Sequence, residues 1–355
     1  MTIKRQIGFW IAALVALIVA LWLLSPVLLP FVAGIALAYL LNPLARRLEK
    51  IGIHRAVAGL IIIVLVLAVL IVLVLLLAPV LADQLAAFID NLPGYVTRLQ
   101  ALVADPNHTW LKKIVGDRLP DAGKSVGELM AQGAGWLASF VRSLWSGGKA
   151  LVSILSLLVV TPVVAFYLIS DWPRIVATVE QWIPLKHRDV VYSLFAEIDA
   201  AIAGFVRGQS GVCLILGSYY ALSLSVVGLN FALLIGLIAG LISFIPFVGS
   251  ISGLLLAIGV AIAQFWPEWT PIVTVFVIFM VGQFVEGYIL APKFVGENVG
   301  LHPVWLMFAM FAFGYLFGFV GLLVAVPVSA ALGVLLRFAL RNYRASTIYT
   351  GEPAS

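Results

Sequence analysis

The sequence predicts an all-α protein that crosses a membrane several times. Of its 355 residues, 63% are hydrophobic and only 10% are charged. Soluble proteins carry about 25% charged residues, so this chain has too few polar side chains to cover a water-exposed globule. A spanning helix needs about 20 apolar residues. The stretches that lack acidic and basic side chains, apart from His302, are close to that length or longer: 6–45, 56–82, 150–170, 208–267, 269–285 and 298–336.

The first four spans follow directly from these stretches. Residues 6–45 predict two helices that turn at Ser25-Pro26, because proline cannot continue the hydrogen-bond ladder of a helix. Residues 56–82 and 150–170 predict the third and fourth spans. The apolar run 7–24 follows two basic residues but is longer than the roughly 7–15 residues of a signal-peptide core. We therefore expect an uncleaved first span.

The basic residues predict the orientation. Cytoplasmic loops of membrane proteins are enriched in Lys and Arg, whereas the short loop 267–271 has neither and is expected outside. Together these residues predict a multi-pass protein of the inner (plasma) membrane with both termini in the cytoplasm. The basic residues expected inside are Lys4, Arg5, Arg46, Arg47, Lys50, Arg55, Arg174, Lys186, Arg188, Arg207, Arg337, Arg341 and Arg344.

Two polar stretches separate the apolar ones, 83–149 outside and 187–207 inside. Both contain apolar residues at i, i+3, i+4 spacing, which is typical of amphipathic helices, and Pro93-Gly94 is expected to break the first. The simplest interpretation is that these helices lie on the membrane surface or pack on the spans; a gate or a subunit contact is the alternative. The predicted regions are 1–82 with three spans, 83–149 extracytoplasmic and amphipathic, 150–207 with the fourth span and a cytoplasmic amphipathic helix, 208–340 as the core, and 341–355 as the cytoplasmic tail.

Two segments of the C-terminal half are too long for one crossing and carry helix breakers in the middle. As one helix, residues 231–265 would rise roughly 50 Å, against a hydrocarbon core of about 30 Å. Residues 302–336 have the same form. The residues at the two predicted breaks are Pro246, Phe247, Gly249 and Ser250 in the first, and Gly314, Gly318 and Gly321 in the second.

Two arrangements fit these breaks. Each segment is either a pair of short complete spans or a re-entrant hairpin that enters and leaves on the same side. Interrupted segments in corresponding positions mark the binding site in inverted-repeat transporters, and non-helical backbone at membrane depth survives only when it is buried in protein or lines a wet cavity. We favour the hairpins. The alternative is simple helix–turn–helix packing, with glycines for close contact.

Glu286 directly follows the apolar stretch 269–285, within the predicted membrane span. It lies about 7.5 Å along the helix from the middle of its span, and an intramembrane carboxylate is a functional-site hypothesis by default because its burial is costly. Three interpretations remain open at this point: a solute or cation/proton path, a structural pair with Lys293, or an interfacial side chain. Gln283, one turn earlier, fits either of the first two roles.

Several functional classes are not predicted. Gly123-Lys124-Ser125 matches the end of a phosphate-binding loop, but Arg118 occupies the position of the required glycine, which argues against an ATPase. The four histidines have no ligand spacing, and the single cysteine, Cys213, cannot form an internal disulfide or a Cys-rich zinc site. We expect no metal, no cofactor and no enzymatic activity. The basic residues flank apolar segments, so nucleic acid is not an expected partner.

Four segments identify the chain as similar to the autoinducer-2 exporter (AI-2E) family of bacterial membrane proteins, also called the PerM family. The similarity covers nearly the whole chain, is most specific in the C-terminal half, and is weak in 83–149. The segments that carry it are Pro30–Gly34 with Ala38–Leu44, Phe244–Gly249, Gly296–Trp305, and Gly314–Gly318 through Ala325–Pro327.

The resemblance implies about eight membrane segments and a secondary transporter. Members of the family are linked to export of autoinducer-2, and others to sodium(lithium)/proton antiport. The expected partners are therefore a small polar solute or a monovalent cation and proton, together with the lipid bilayer. Small-residue helix faces also fit a homo-oligomer. A membrane scaffold or regulatory protein that transports nothing is the hypothesis from a different class.

Overall fold

The computed structural model describes residues 3–104, 148–185, 188–246, 248–295, 302–346 and 349. Within these ranges the chain is helical and contains no strand. Seven of the described helical stretches are long and apolar enough to cross a membrane, and a shorter apolar helix joins them. The prediction of an all-α polytopic membrane protein is confirmed.

Nine α-helices and one π-helical segment make up the described chain. The bounds are α1 (Ile3–Leu23), α2 (Ser25–Lys50), α3 (Arg55–Ala104), α4 (Gly148–Trp182), α5 (Arg188–Val227), α6 (Ala232–Ile242), α7 (Val248–Phe265), α8 (Trp269–Val285), the π-helical segment (Glu286–Val295) and α9 (Pro303–Arg344).

The expected turn between the first two helices is present. Leu24 separates α1 from α2, and a proline occupies the first turn of α2, where its missing N–H has no helical partner to lose. The N-terminal apolar run is helical as α1. It is not among the seven stretches that meet the spanning criteria, so its role as a span stays a prediction.

The predicted break at Pro93-Gly94 is wrong. Helix α3 continues through both residues to Ala104. Proline removes one hydrogen bond from the ladder, but contacts elsewhere on this helix outweigh that loss. Phe88 and Tyr95 meet the ring of Phe231 edge-on at centroid distances of 5.2 and 6.3 Å. The expected amphipathic helix further along the loop lies in 105–147, outside the described residues.

The amphipathic stretch 187–207 is helical from Arg188 but does not end before the next span. It forms the first half of α5, which runs without interruption to Val227. We expected two separate helices because residues 187–207 are polar on one side, whereas the residues from 208 onward are apolar. The backbone has no breaker between them, so a single helix results.

The Cα positions group into two compact units. The first unit groups the described residues of Met1–Leu67, Leu155–Gln209 and Ala291–Ser355, and the second those of Ala68–Ile154 and Ser210–Leu290. The core of the first unit is formed by small and aliphatic residues of α2, α3 and α4, which include Ala38, Ala45, Ala165 and Ile169.

Small residues let the helices of the second unit approach closely. A Cβ added at Gly240 of α6 would collide with the backbone of Gly217 in α5, and one at Gly236 would collide with the backbone of Ala221. Without a hydrophobic driving force between helices in lipid, such close packing is what stabilises their association. The α5–α6 contact therefore depends on glycine at both positions.

Both predicted interruptions are present. The segment 231–265 divides into α6 and α7, which pack against each other. With 11 residues, α6 is only about 16 Å long, too short to cross the hydrocarbon core. In α9 the backbone leaves helical geometry at Gly318, with φ 60° and ψ −138°, a conformation that glycine adopts without a Cβ clash.

Candidate functional site

Glu286 occupies the junction between two kinds of helix. It caps α8 and is the first residue of the π-helical segment Glu286–Val295. π-helical turns are rare and occur frequently at functional sites. The carboxylate therefore projects from a point where the regular hydrogen-bond ladder of the helix changes.

Two polar side chains of the same unit contact the Glu286 carboxylate. The Gln283 amide Nε2 donates to Glu286 Oε2 at 3.3 Å. The Ser250 hydroxyl, in the first turn of α7, is within hydrogen-bonding reach of the same carboxylate. The structure thus brings together three of the residues that the sequence predicted for the site, from two different helices.

The turn before α7 positions Ser250. A Cβ added at Gly249 would collide with the backbone of Ser243, so only glycine permits the chain to fold back this tightly. Ser243 and Ser250 are both buried, at 1% and 3% exposure. The Ser243 hydroxyl donates to the Ala239 carbonyl at 2.7 Å, which supplies a partner to the last turn of α6. Pro246 lies in the break itself.

Tyr220 of α5 is a member of the site that sequence reasoning missed. Its ring stacks on Phe279 at a centroid distance of 4.4 Å, and Gly282 leaves the space that the phenol occupies. The hydroxyl is buried without a well-formed hydrogen bond in the described part of the chain. The Gln283 side chain lies beside it, and Glu286 is close enough to interact electrostatically.

Cys213, also on α5, is the second neighbour that the sequence did not indicate. It is half-buried and lies within electrostatic range of Glu286. No local pattern signals either neighbour, because α5 is far from Glu286 in the sequence and reaches it only through tertiary packing.

The other predicted site residues are not part of this cluster. Phe247 lies outside the described residues. Gly314, Gly318 and Gly321 belong to the first unit and surround the break in α9. A Cβ at Gly321 would collide with the Phe313 carbonyl, so this break, like the first, contains a close approach that excludes larger residues.

The structural pair of Glu286 with Lys293 stays a prediction. Lys293 is exposed near the end of the π-helical segment. The ion pairs found among the described residues join other partners, such as Arg337 and Arg341 with Glu197. Within its own unit, the described neighbours of the Glu286 carboxylate are the Gln283 amide and the Ser250 hydroxyl.

This arrangement suits the exchange of a proton or the binding of a small polar ligand. A carboxylate accepts hydrogen bonds when ionised and donates one when protonated, and the hydroxyl and amide beside it provide both donors and acceptors. In the described ranges, no group of three or more His, Cys, Asp or Glu side chains is placed to hold a metal ion.

The match to a family of transporters decides the class of protein. The profile of the AI-2E family transporters matches residues 11–341. The chain belongs to the AI-2E family. The match includes every described residue of the candidate site. Membership makes this a multi-pass membrane protein of a transporter family, as the sequence resemblance implied.

Bacterial relatives align with most of the length of this AI-2E member. The "Putative transport protein YrrI" of Bacillus subtilis is 30% identical over 327 residues, which are 90% of this chain and 89% of that protein. The "Putative transport protein YueF" of the same species is 24% identical and spans 93% of this chain and 92% of its own length. The "Putative permease PerM" of Escherichia coli is 26% identical, with 92% of each chain covered.

Proposed function

We propose that this AI-2E member is a secondary transporter that exports a small polar metabolite, with autoinducer-2 as the candidate substrate and Glu286 as the group that couples transport to protons. The observation that carries the proposal is the contact of Ser250 and Gln283 with a half-buried carboxylate. We further propose that the chain lies in the inner membrane with both termini in the cytoplasm.

The position of Glu286 supports a coupling role. An ionised side chain within a membrane helix costs about 2.5–3.5 kcal/mol on insertion scales, and such a group is retained where it has a function. A protonated carboxyl is far less costly to bury. A carboxylate that alternates between these two forms as the site opens to either side would link proton movement to solute movement.

The break before α7 supports solute binding beside that carboxylate. Backbone N–H groups in the first turn of a helix have no intrahelical partner, and the N-terminus carries a partial positive charge. The Val248 N–H already donates to the Ile245 carbonyl, so we expect the N–H groups of Gly249 and Ser250 to be the donors for solute oxygens. Interrupted helices serve transporters in this way. A small hydroxyl-rich molecule fits such a set of donors and acceptors.

Sodium(lithium)/proton antiport is the second candidate. Hard cations such as these prefer oxygen ligands, and three side chains that carry oxygen, Glu286, Gln283 and Ser250, meet at one point. A single carboxylate gives the site one negative charge, which matches a monovalent cation. The same carboxylate would then bind either the cation or the proton.

The test is a flux assay with purified protein in liposomes. Autoinducer-2, sodium and lithium are supplied separately, with and without a pH gradient, to protein with native Glu286, to Glu286→Gln, and to Glu268→Gln as the matched control. Glu268 precedes the same helix at its other end. We expect Glu286→Gln to reduce pH-dependent flux to the level of protein-free liposomes, whereas Glu268→Gln retains it.

The outcomes separate the candidates. Flux of autoinducer-2 alone supports the exporter, and flux of sodium or lithium supports the antiporter. If a folded Glu286→Gln protein has the same pH-dependent flux as the native protein, Glu286 is not part of the mechanism. A native protein that moves none of the three across the bilayer, although folded, contradicts both transport proposals and favours the scaffold or regulatory role.

A further inference from the structure

A cavity of about 250 Å³ lies within the first unit. Helices α2, α4 and α5 supply its walls, and half of the lining side chains are aliphatic. Four of the lining side chains are polar or aromatic: Tyr39, Asn42, Trp172 and Asp199. A pocket of this size holds a group smaller than the drug-sized ligands that occupy about 300–1,000 Å³.

Asp199 gives the cavity a defined acceptor. The Tyr39 hydroxyl donates to Asp199 Oδ1 at 2.9 Å, which fixes the orientation of the carboxylate. Because an ionised carboxylate accepts hydrogen bonds at both oxygens, the bond to Oδ1 does not use its full acceptor capacity. Of the eight side chains that line the cavity, Asp199 is the one with a formal charge.

The basic residue nearest the wall is already engaged. Arg55 Nε donates to the Ile169 carbonyl at 2.7 Å, and its NH2 group approaches Asn42 Oδ1 at 3.4 Å. Its NH1 group pairs with Glu49 at 3.3 Å. The guanidinium charge is thus balanced by a carboxylate outside the cavity. Arg207 interacts electrostatically with Tyr39, but it is exposed and not part of the lining.

Two aromatic rings add a second feature that favours cations. The rings of Tyr39 and Trp172 meet edge-to-face, with centroids 6.4 Å apart and planes at 66°. In such a pair at least one ring face is left uncovered by the partner. Cations are attracted to the faces of Trp and Tyr rings, and aromatic side chains are the usual means of recognising quaternary ammonium groups.

We propose that this cavity binds an ammonium group, held between the Asp199 carboxylate and the Tyr39 and Trp172 rings. The group is carried either by a small soluble amine or by the headgroup of an aminophospholipid. Asn42, at the wall, is one turn from Arg46 and Arg47 at the basic end of α2, a position where Lys and Arg side chains meet lipid headgroups. The proposal is independent of the transport mechanism.

The soluble arm of the test uses calorimetric titration of purified full-length protein with tetramethylammonium chloride and with ethanolamine, at constant ionic strength set by sodium chloride. We expect saturable binding that Asp199→Asn weakens at least about tenfold, since hydrogen bonds and contacts to charged groups contribute more than neutral ones. The matched control is Asp189→Asn, an exposed carboxylate in the first turn of the same helix.

The lipid arm uses native mass spectrometry of the same proteins from nanodiscs of phosphatidylethanolamine or phosphatidylglycerol. Retention of the amine lipid that is lost in Asp199→Asn but kept in Asp189→Asn identifies the lipid as the source. Binding of soluble amines without such retention identifies a free amine. Absence of both, or equal behaviour of the two carboxylate variants, overturns the proposal.

A second pair of variants tests the same cavity if Asp199→Asn does not fold. Trp172→Leu removes one ring of the cavity, and Trp182→Leu removes an exposed ring at the end of the same helix. The tetramethylammonium affinity should fall in the first variant and be unchanged in the second. Equal affinities in two folded proteins contradict the aromatic part of the site and with it the proposal.

Discussion

The two broken membrane segments achieve the same interruption with different chemistry. The break between α6 and α7 contains a proline and leads into Ser250, whose hydroxyl reaches Glu286 in the same unit. The break in α9 depends on the backbone of Gly318, and the run from Pro303 to Leu336 has no charged residue. A helix can therefore be interrupted without creating a polar site, and the nearby carboxylate is what distinguishes the first break.

The difference extends to what the glycines do. A Cβ added at Gly318 would meet open space, so this position requires glycine for its dihedral angles. Gly249 lies at the start of α7 and requires glycine because the Ser243 backbone is too close for a Cβ. One position is limited by conformation and the other by packing, so substitutions at the two breaks report on different physical terms.

The largest expected effect concerns the side from which each break is reached. In a Cys213→Ser background, Val248→Cys should react with a membrane-impermeant maleimide only from outside, and Phe319→Cys only from inside, because re-entrant hairpins enter from opposite faces. The measurement is the labelled fraction in intact cells and in inverted vesicles.

Two reference positions calibrate that experiment. Glu268→Cys, in the loop expected outside, and Ser346→Cys, in the tail expected inside, should label almost completely from one side each. If Phe319→Cys instead reacts from outside, α9 consists of two full crossings and the similarity between the breaks is limited to local geometry.

A medium effect is expected at the conformational glycine. Gly318→Ala should lower the free energy of unfolding by about 1–3 kcal/mol, since a side chain in such a region of backbone space is strained. Thermal unfolding in detergent measures it. The matched control is Gly259→Ala, which lies inside α7 with nothing within contact of an added Cβ and should raise stability. Equal shifts in the two variants would mean that α9 simply continues as a helix once Gly318 is replaced.

The smallest effect is expected at the proline of the first break. Pro246→Ala should reduce stability by about 0.4–1 kcal/mol, mainly because the unfolded chain gains freedom, while the break persists through the Gly249–Ser243 contact. The same unfolding measurement applies, with flux as the second readout. A gain of several kcal/mol would show instead that proline strains a segment that prefers to be one helix.

The interruptions and the acidic residue could be predicted from the sequence because their signals are local. A run too long for one crossing with Pro246 or Gly318 in its middle leaves few alternatives, and Glu286 is conspicuous within apolar residues. The partners of Glu286 were only partly predictable. Gln283 is one helical turn away, whereas Tyr220 reaches the site through contacts between distant helices.

The wrong prediction at Pro93-Gly94 and the missed role of Asp199 both concern contacts between residues that are far apart in the sequence. Pro93-Gly94 is a strong local breaker, yet α3 continues past it because Phe88 and Tyr95 pack on Phe231. Asp199 reads as one more acidic residue on the polar side of an amphipathic helix. Its bond to Tyr39 joins residues 160 positions apart, a separation at which residue patterns carry no information on pairing.

The π-helical segment that begins at Glu286 has a geometric consequence. Each residue of an α-helix turns the chain by about 100°, and a wider π turn accommodates an additional residue without breaking the helix. Across Glu286–Val295 the wider turns therefore change the angular position of the following side chains about the helix axis, compared with the positions that a continuous α-helix would give them. An inserted or deleted residue in this segment would rotate the residues on one side of it by about 100° relative to those on the other.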